Sequence, residues 1–198
     1  MNGLKKLSCL LLLTLGLFLT QGMSAQNVAV KTNLVYDVAA NVNAGIEFGL
    51  APKWTVDVSG NFNAWDMSHN RKWKHWLVQP ELRYWFCDRF AGHFLGMHLH
   101  GGQYNVGGLK NSMSFLGTDF SKLSDNRYQG WFTGVGFAYG YTWMLGEHWN
   151  LEAEIGLGYS YTKYDRFECV GCGKKIEEDK SHHYVGPTKA AINLVYVF

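Results

Sequence analysis

Two cysteines separated by two residues form the sharpest local motif of the chain. Cys169 and Cys172 are followed directly by Gly173, and His182 and His183 come further along. Thiolates at this spacing can reach one metal ion, and a histidine can complete a tetrahedral zinc site. A second pair of ligands at matching spacing is missing, so the sequence holds half of a zinc motif.

Three kinds of chemistry remain open for this cysteine pair. In an oxidising compartment we expect Cys169 and Cys172 to form a disulfide that staples an exposed loop. Zinc, held with His182 or His183, is the alternative, and no other cofactor is expected. A redox dithiol needs a lowered thiol pKa, which nothing near the motif predicts. Cys87 is then the odd thiol, either free or paired between chains.

Two histidines, His98 and His100, share one face of an alternating segment and are candidates for acid–base chemistry. Ser112 and Ser114, in the stretch that follows, could act as nucleophiles. No spacing in this region singles out a catalytic triad. A lipid-modifying enzyme that uses these histidines is therefore the alternative interpretation, and we expect a protein that is not an enzyme.

Charged residues recur on the polar faces of the alternating segments. They comprise five acids and three bases: Glu47, Asp57, Glu81, Glu152 and Glu154, with Lys31, Arg83 and Lys189. Charges in such numbers do not suit the dry core of a soluble β-sandwich. They suit the interior of a small membrane barrel, where acids and bases can pair. We expect a paired network with a structural role, in preference to ion or proton conduction.

Eight segments alternate between two kinds of side chain. They cover residues 28–37, 41–50, 54–64, 75–86, 91–105, 128–145, 149–164 and 186–198. Successive side chains of a strand point to opposite faces, and here one face is apolar and aromatic while the other is polar or rich in glycine. This pattern predicts an all-β, eight-stranded, antiparallel, up-and-down transmembrane barrel with its apolar face outside. The lumen of such a barrel is filled by side chains, so we expect it to be plugged.

Two prolines and the final residue refine this prediction. Pro80 falls inside the fourth segment and predicts a bulge or local break there, whereas Pro187 stands at the expected start of the closing strand. The closing segment reads GPTKAAINLVYVF and stops on Phe198. A terminal aromatic residue on a closing strand resembles the signal read by the barrel-assembly machinery of bacterial outer membranes.

The first 25 residues resemble a secretory signal peptide. Lys5 and Lys6 precede an apolar run over residues 7–19, and small residues before Gln26 offer a cleavage site. We therefore expect a signal peptide over residues 1–25 and one barrel domain over residues 26–198. Removing Lys5 and Lys6 from 18 basic residues leaves 16, which equals the 16 acidic residues. This balance gives no reason to expect a nucleic-acid partner.

Three stretches carry a resemblance to a known family. The segment KTNLVYD at residues 31–37, the C-x-x-C-G motif and the ending GPTKAAINLVYVF resemble a family of small outer-membrane barrels from Bacteroidetes, catalogued as a domain of unknown function. The resemblance covers nearly the whole mature chain. It implies an eight-stranded outer-membrane barrel, similar in architecture to the transmembrane barrels of OmpA and OmpX, and it supplies no activity.

Together these observations predict a small, plugged barrel in the outer membrane of a Gram-negative bacterium, with a structural or interaction role. Loops at about residues 66–74, 107–127 and 165–183 would face the exterior. The expected partners are outer-membrane lipid, the assembly machinery and an unidentified surface protein or glycan, and we expect a monomer. A metal- or glycan-binding module on the last loop is a further alternative, with Trp65 and Trp73 as candidate sugar contacts.

Overall fold

The computed structural model describes residues 27–67, 71–108, 114–115, 118–119, 126–169 and 173–198. The expected signal peptide lies outside these residues. Strands dominate the described ranges, and none of the helices there is long and apolar enough to cross a membrane. In chain order the elements are β1 (Val28–Asn33), α1 (Leu34–Val38), β2 (Val42–Ala51), β3 (Trp54–Asn63), β4 (Asp66–Met67), β5 (Arg71–Trp85), β6 (Gly92–Gly107), β7 (Ser114–Phe115), β8 (Thr118–Asp119), β9 (Arg127–Met144), β10 (Trp149–Phe167) and β11 (Lys175–Val197).

Eight of the strands close into a ring. The order around the ring is β1, β2, β3, β5, β6, β9, β10 and β11, and every neighbouring pair is antiparallel. The pairing of β3 with β5 and of β11 with β1 completes the closure. Neighbours in space are also neighbours along the chain, apart from the two-residue strands β4, β7 and β8. The predicted all-β, eight-stranded, up-and-down antiparallel barrel is therefore confirmed.

The two ends of the barrel differ. At one end, here called the turn end, short connections at residues 52–53, 86–91 and 145–148 join the strands. Val28 and Phe198 also lie there, and the Phe198 N–H donates to the Val28 carbonyl at 3.0 Å. At the opposite end, the loop end, the connections are residues 34–41, 64–70, 108–126 and 168–174. Short and longer connections thus alternate around the whole barrel.

Burial is inverted relative to a soluble protein. Large apolar side chains on the outer wall are exposed, including Ile46, Leu95, Phe137 and Leu157. The lumen instead buries polar and charged side chains, as the alternation predicted. Among the described residues, a small apolar core lies at the turn end, where Trp85, Phe90, Phe94, Ala29, Val195 and Val197 pack together.

The first strand is shorter than the sequence pattern predicted. The expected strand over residues 28–37 is wrong beyond Asn33, because α1 begins at the next residue. The Asn33 side chain accepts a hydrogen bond from the Val35 N–H at 3.1 Å, which is the preferred role of asparagine at a helix N-cap. The hydroxyl of Thr32 donates to Asp37 at 2.8 Å and holds the helix against the strand it leaves.

The last strand is longer than predicted. β11 begins at Lys175, so His182 and His183 lie inside a strand and the expected loop over residues 165–183 is wrong for most of its length. Pro187 consequently stands in mid-strand, beside a register shift where Gly156 pairs with residue 189 and Leu157 with Pro187. The break expected at Pro80 is confirmed, because the ladder between β5 and β6 skips that residue and its predecessor.

Candidate functional site

Arg83 lies at the centre of the lumen and is fully buried. Its Nε donates to Glu81 Oε1 at 2.6 Å, and its Nη1 donates to Glu47 Oε2 at 2.8 Å. Nη1 and Nη2 also bond the Glu152 carboxylate at 2.9 and 3.2 Å, and Nη2 bonds Glu154 at 2.8 Å. One guanidinium thus joins four carboxylates from three strands, a use that suits the planar fork of arginine.

Two lysines extend this arrangement to the other side of the lumen. Lys31 Nζ on β1 lies 2.5 Å from Glu47 Oε2 and 3.3 Å from Asp57 Oδ1. Lys189 Nζ on β11 lies 2.8 Å from Glu81 Oε2 and 3.9 Å from Asp57 Oδ2. Neither Asp57 oxygen has a hydrogen-bond partner among the described residues, so the two lysines compensate its charge through space.

All eight residues predicted to form the interior network therefore meet in one buried group, here called the charge cluster: Lys31, Glu47, Asp57, Glu81, Arg83, Glu152, Glu154 and Lys189. Neutral groups add further bonds to it. The Thr55 hydroxyl donates to Glu47, and Asn193 donates to Glu152 at 2.7 Å. Removal from water is costly for each of these charges unless it is paired and hydrogen-bonded. The arrangement pairs all eight charges and hydrogen-bonds all of them except Asp57.

An aromatic layer closes the lumen below the charge cluster, towards the turn end. The rings of Trp85 and Phe94 lie 4.8 Å apart, and Phe90 packs 6.1 Å from Trp85. The guanidinium of Arg83 lies 4.4 Å from the centre of the Phe94 ring, which joins the two layers by a cation–π contact. The charge cluster is thus sealed from the turn end by apolar side chains.

His98 and His100 lie on the loop-end side of the charge cluster, inside the lumen, as predicted. His98 Nε2 contacts the Thr188 hydroxyl at 2.9 Å, and His100 Nε2 contacts the Ser160 hydroxyl at 2.5 Å. His98 Nδ1 is 3.5 Å from Glu81 Oε2, which is too long for a good hydrogen bond. Both Nδ1 atoms are buried and lack a hydrogen-bond partner among the described residues.

Glycines on β9 make room for these two imidazoles. A Cβ atom on Gly134 would lie 2.4 Å from the His100 ring, and one on Gly136 would lie 2.6 Å from the His98 ring. Any larger residue would push the imidazoles off the wall. The glycine-rich inner face of β9 is therefore explained by the close packing of histidines from the neighbouring strand β6 against it.

The hydroxyl partners of the histidines were not identified from the sequence. Ser112, one of the two proposed nucleophiles, lies outside the described residues, and Ser114 stands in the two-residue strand β7. Ser160 instead comes from β10, two strands from His100 around the ring. Its inward position followed from the alternation, but only the strand register could show which histidine it meets.

An open cavity of about 520 Å³, here called the cup, occupies the loop end of the lumen. Six strands line it: β3, β5, β6, β9, β10 and β11, with Asn63, His75, Tyr104 and Tyr164 among the lining residues. Below it, the Phe132 ring lies 6.2 Å from both the Tyr104 and His100 rings and separates the cup from the histidines. Among the described residues, which leave out most of the connection between β6 and β9, the cup is open to the loop end and closed towards the charge cluster.

The hairpin of β10 and β11 projects beyond the cup and carries paired charges. Lys163 Nζ lies 2.9 Å from Asp179 Oδ1, and Lys175 Nζ lies 2.9 Å from Asp165 Oδ2. The Asp179 N–H also donates to Asp165 at 3.0 Å. The hydrogen bond from Lys175, helped by this N–H, holds the pKa of the Asp165 carboxyl below its usual range.

At the hairpin tip Cys169 is disulfide-bonded, so it offers no thiolate to a metal ion. Cys172 lies outside the described residues. His183 contacts the Tyr159 hydroxyl at 2.5 Å on the outside of the strand pair. No group of three or more metal-ligating side chains occurs in the described ranges. Cys87 is a free and exposed thiol at the turn end, far from Cys169.

Comparison with known proteins identifies a family and no activity. A family profile described as "Protein of unknown function (DUF3575)" matches residues 9–198. No curated protein and no solved structure matches the chain.

Proposed function

Because the chain belongs to the DUF3575 family, whose function is unknown, we propose a function from its own geometry: it is a plugged outer-membrane barrel with a structural or interaction role. The inverted burial carries this proposal. A lumen full of buried charges and an outer wall of exposed apolar side chains suit a barrel surrounded by lipid.

The outer wall supports the membrane part of the proposal. Its exposed apolar side chains form a continuous band that includes Ile46, Phe48, Leu95, Met97, Leu99, Val135, Phe137, Ile155 and Leu157. Monomeric soluble proteins rarely expose an apolar surface of this extent. Exposed aromatics flank the band, with Trp54, Phe86, Trp143, Trp149 and Phe198 towards the turn end and Trp76, Trp131 and Tyr159 towards the loop end. Such girdles are typical at the two interfaces of a bilayer.

The filling of the lumen supports the proposal that the barrel is plugged. The charge cluster and the aromatic layer fill the section between the cup and the turn end. A cavity of about 30 Å³ lies beside Lys31, Asp57 and Lys189 in the charge cluster. That space holds on the order of one or two water molecules, which is far too little for a diffusion path.

The orientation follows from the outer-membrane class to which we assign the chain. Short turns face the periplasm and longer loops face the exterior in such barrels. We therefore propose that the loop end, the cup and the projecting hairpin face the cell exterior. Secretion would require removal of residues 1–25, and Phe198 would serve the assembly machinery. N-terminal sequencing of the outer-membrane form should then begin at Gln26.

Heat modifiability and conductance test the proposal together. Outer-membrane fractions are run on SDS gels before and after boiling, and the purified protein is reconstituted in planar bilayers. A faster-migrating unboiled band without steady large conductance is the expected result. A protein found only in the soluble periplasmic fraction, without a shift, would refute the membrane barrel. A steady large conductance would refute the plug alone.

The contact between His100 and Ser160 favours a second candidate, a lipid-modifying enzyme. A hydroxyl 2.5 Å from an imidazole nitrogen is the arrangement that activates a serine nucleophile. Labelling by a fluorophosphonate probe, lost in Ser160→Ala and in His100→Gln, together with altered lipid A acylation, would establish this activity. Unlabelled, correctly folded protein would exclude a serine nucleophile here.

A further inference from the structure

We propose that the cup binds a neutral carbohydrate, an inference that rests on the proposed exterior position of the loop end. The cavity volume of about 520 Å³ lies within the range of small-molecule sites. It is closed below by Phe132, and no part of the chain that the structure describes covers it above. A ligand can therefore enter from the loop end and be held there, and it cannot pass through the barrel.

The charges of the cup argue against an ionic ligand. Lys163 and Asp179 face each other at 2.9 Å, and Asp165 is bonded by Lys175 and by a backbone N–H. These ion pairs compensate one another within the wall. A charged ligand would have to compete with them, whereas a neutral ligand would leave them intact.

Besides Lys74 and His75, the remaining lining is mostly neutral hydrogen-bonding groups and aromatic rings. The amides of Asn63, Asn105 and Gln129 and the phenols of Tyr104 and Tyr164 all border the cavity. Amides both donate and accept, and a phenol does the same. This mixture matches a molecule whose own surface alternates hydroxyl groups with apolar C–H faces.

An aromatic pair at the cavity wall suits the apolar C–H face of a sugar. The Tyr164 ring packs 5.4 Å from the Tyr128 ring, which presents an aromatic surface at the cavity wall. Gly130 lines the same wall, where a Cβ atom would lie 2.2 Å from the Lys163 carbonyl.

The test uses the full-length folded protein and defined sugars. Maltotriose, mannotriose and N,N′,N″-triacetylchitotriose are titrated against the purified barrel in detergent, with a trisaccharide of uronic acids as the anionic comparison. Binding is followed by calorimetry. A second arm uses nanodiscs that contain lipopolysaccharide, to separate a free glycan from a sugar carried by an outer-leaflet lipid.

Three variants test whether the sugar binds in the cup. Tyr164→Ala removes an aromatic face and is expected to weaken binding roughly tenfold. Tyr104→Phe keeps the ring, removes one hydroxyl and is expected to weaken binding about threefold to tenfold. Tyr139→Ala is the matched control, because this exposed tyrosine bonds His93 outside the cup. The control should bind as tightly as the unmodified protein.

Saturable binding of a neutral sugar in either arm, weakened by the two cup variants and unchanged in the control, supports the proposal. It is overturned if no neutral sugar binds in either arm, if the anionic trisaccharide binds preferentially, or if Tyr164→Ala binds unchanged. A missing heat shift with intact sugar binding would count against the membrane barrel and not against this site.

Discussion

Replacement of Arg83 by methionine should destabilise the barrel more than any other single change in the lumen. Arg83 donates five hydrogen bonds to four buried carboxylates. At about 1.5–3 kcal/mol for each bond to a charged group, a simple sum reaches roughly 7–15 kcal/mol. That sum is an upper bound, because Lys31, Lys189 and neutral donors still serve the same carboxylates. Removal of one partner from a buried ion pair costs about 3–5 kcal/mol, which is the loss we expect.

The assay is reversible unfolding in urea with the protein in lipid vesicles, followed by tryptophan fluorescence and by the heat shift on gels. Arg89→Met is the matched control, since Arg89 lies half-buried in a turn outside the charge cluster, and it should change the free energy of unfolding by less than about 1 kcal/mol. The double variant Arg83→Met with Glu152→Gln should lose less than the sum of the single variants, because the two side chains bond directly.

The role assigned to Arg83 is refuted if Arg83→Met unfolds within about 1 kcal/mol of the unmodified protein and keeps its heat shift. The carboxylates would then be compensated without the guanidinium. A loss in the Arg89→Met control as large as that in Arg83→Met would also count against it, since the effect would not be specific to the buried charges.

Three further predictions address packing, titration and orientation. Gly136→Ala should destabilise the barrel by about 1–3 kcal/mol, because its Cβ atom would lie 2.6 Å from the His98 imidazole. Gly146→Ala, with no atom within 4 Å of its Cβ, should be tolerated in the same urea assay. Lys175→Met should raise the pKa of the Asp165 carboxyl in an NMR titration. Because that pKa is lowered in the folded hairpin, the bond stabilises the hairpin at pH values above the unfolded-state pKa, and this stabilisation is lost as the pH falls through the folded-state pKa. An unchanged titration of Asp165 would refute this prediction. The exposed thiol of Cys87 should react with a membrane-impermeant maleimide only after the outer membrane is permeabilised, and labelling in intact cells would reverse the proposed orientation.

The faces of the strands could be read from the sequence, but their partners could not. Alternation alone placed Glu152, Glu154 and Ser160 on the inner face of one strand, because side chains alternate with a period of two. Which residue each one meets depends on the register of strands distant along the chain. The contact of Ser160 with His100 crosses β9, and the contact of Thr188 with His98 depends on an irregularity beside Pro187. No pattern within a single strand predicts either of these two contacts.

The sequence pattern predicted two strand boundaries wrongly, and the physical reason is a different one. The pattern of residues 28–37 fits a strand throughout, but the side chain of Asn33 competes with the ladder by capping a helix. The charged stretch at the start of β11 has low β propensity, and the pairing of its residues 175–185 with residues 159–167 of β10 overrides that preference. An Asn followed four residues later by Asp37, which bonds Thr32, was the signal available for the first boundary.

The charge cluster also explains how a barrel with so many small and polar inner residues keeps one register of strand pairing. Strands with weakly patterned faces are prone to slip. A slip of one residue on β5 would turn Arg83 towards the outer wall and into lipid. A slip of two residues would keep it inside but displace it by about 7 Å along the strand, and none of its hydrogen bonds is longer than 3.2 Å. Only the observed register therefore satisfies the guanidinium and its four carboxylates together, which gives the buried charges a role in specifying the barrel that is separate from their contribution to its stability.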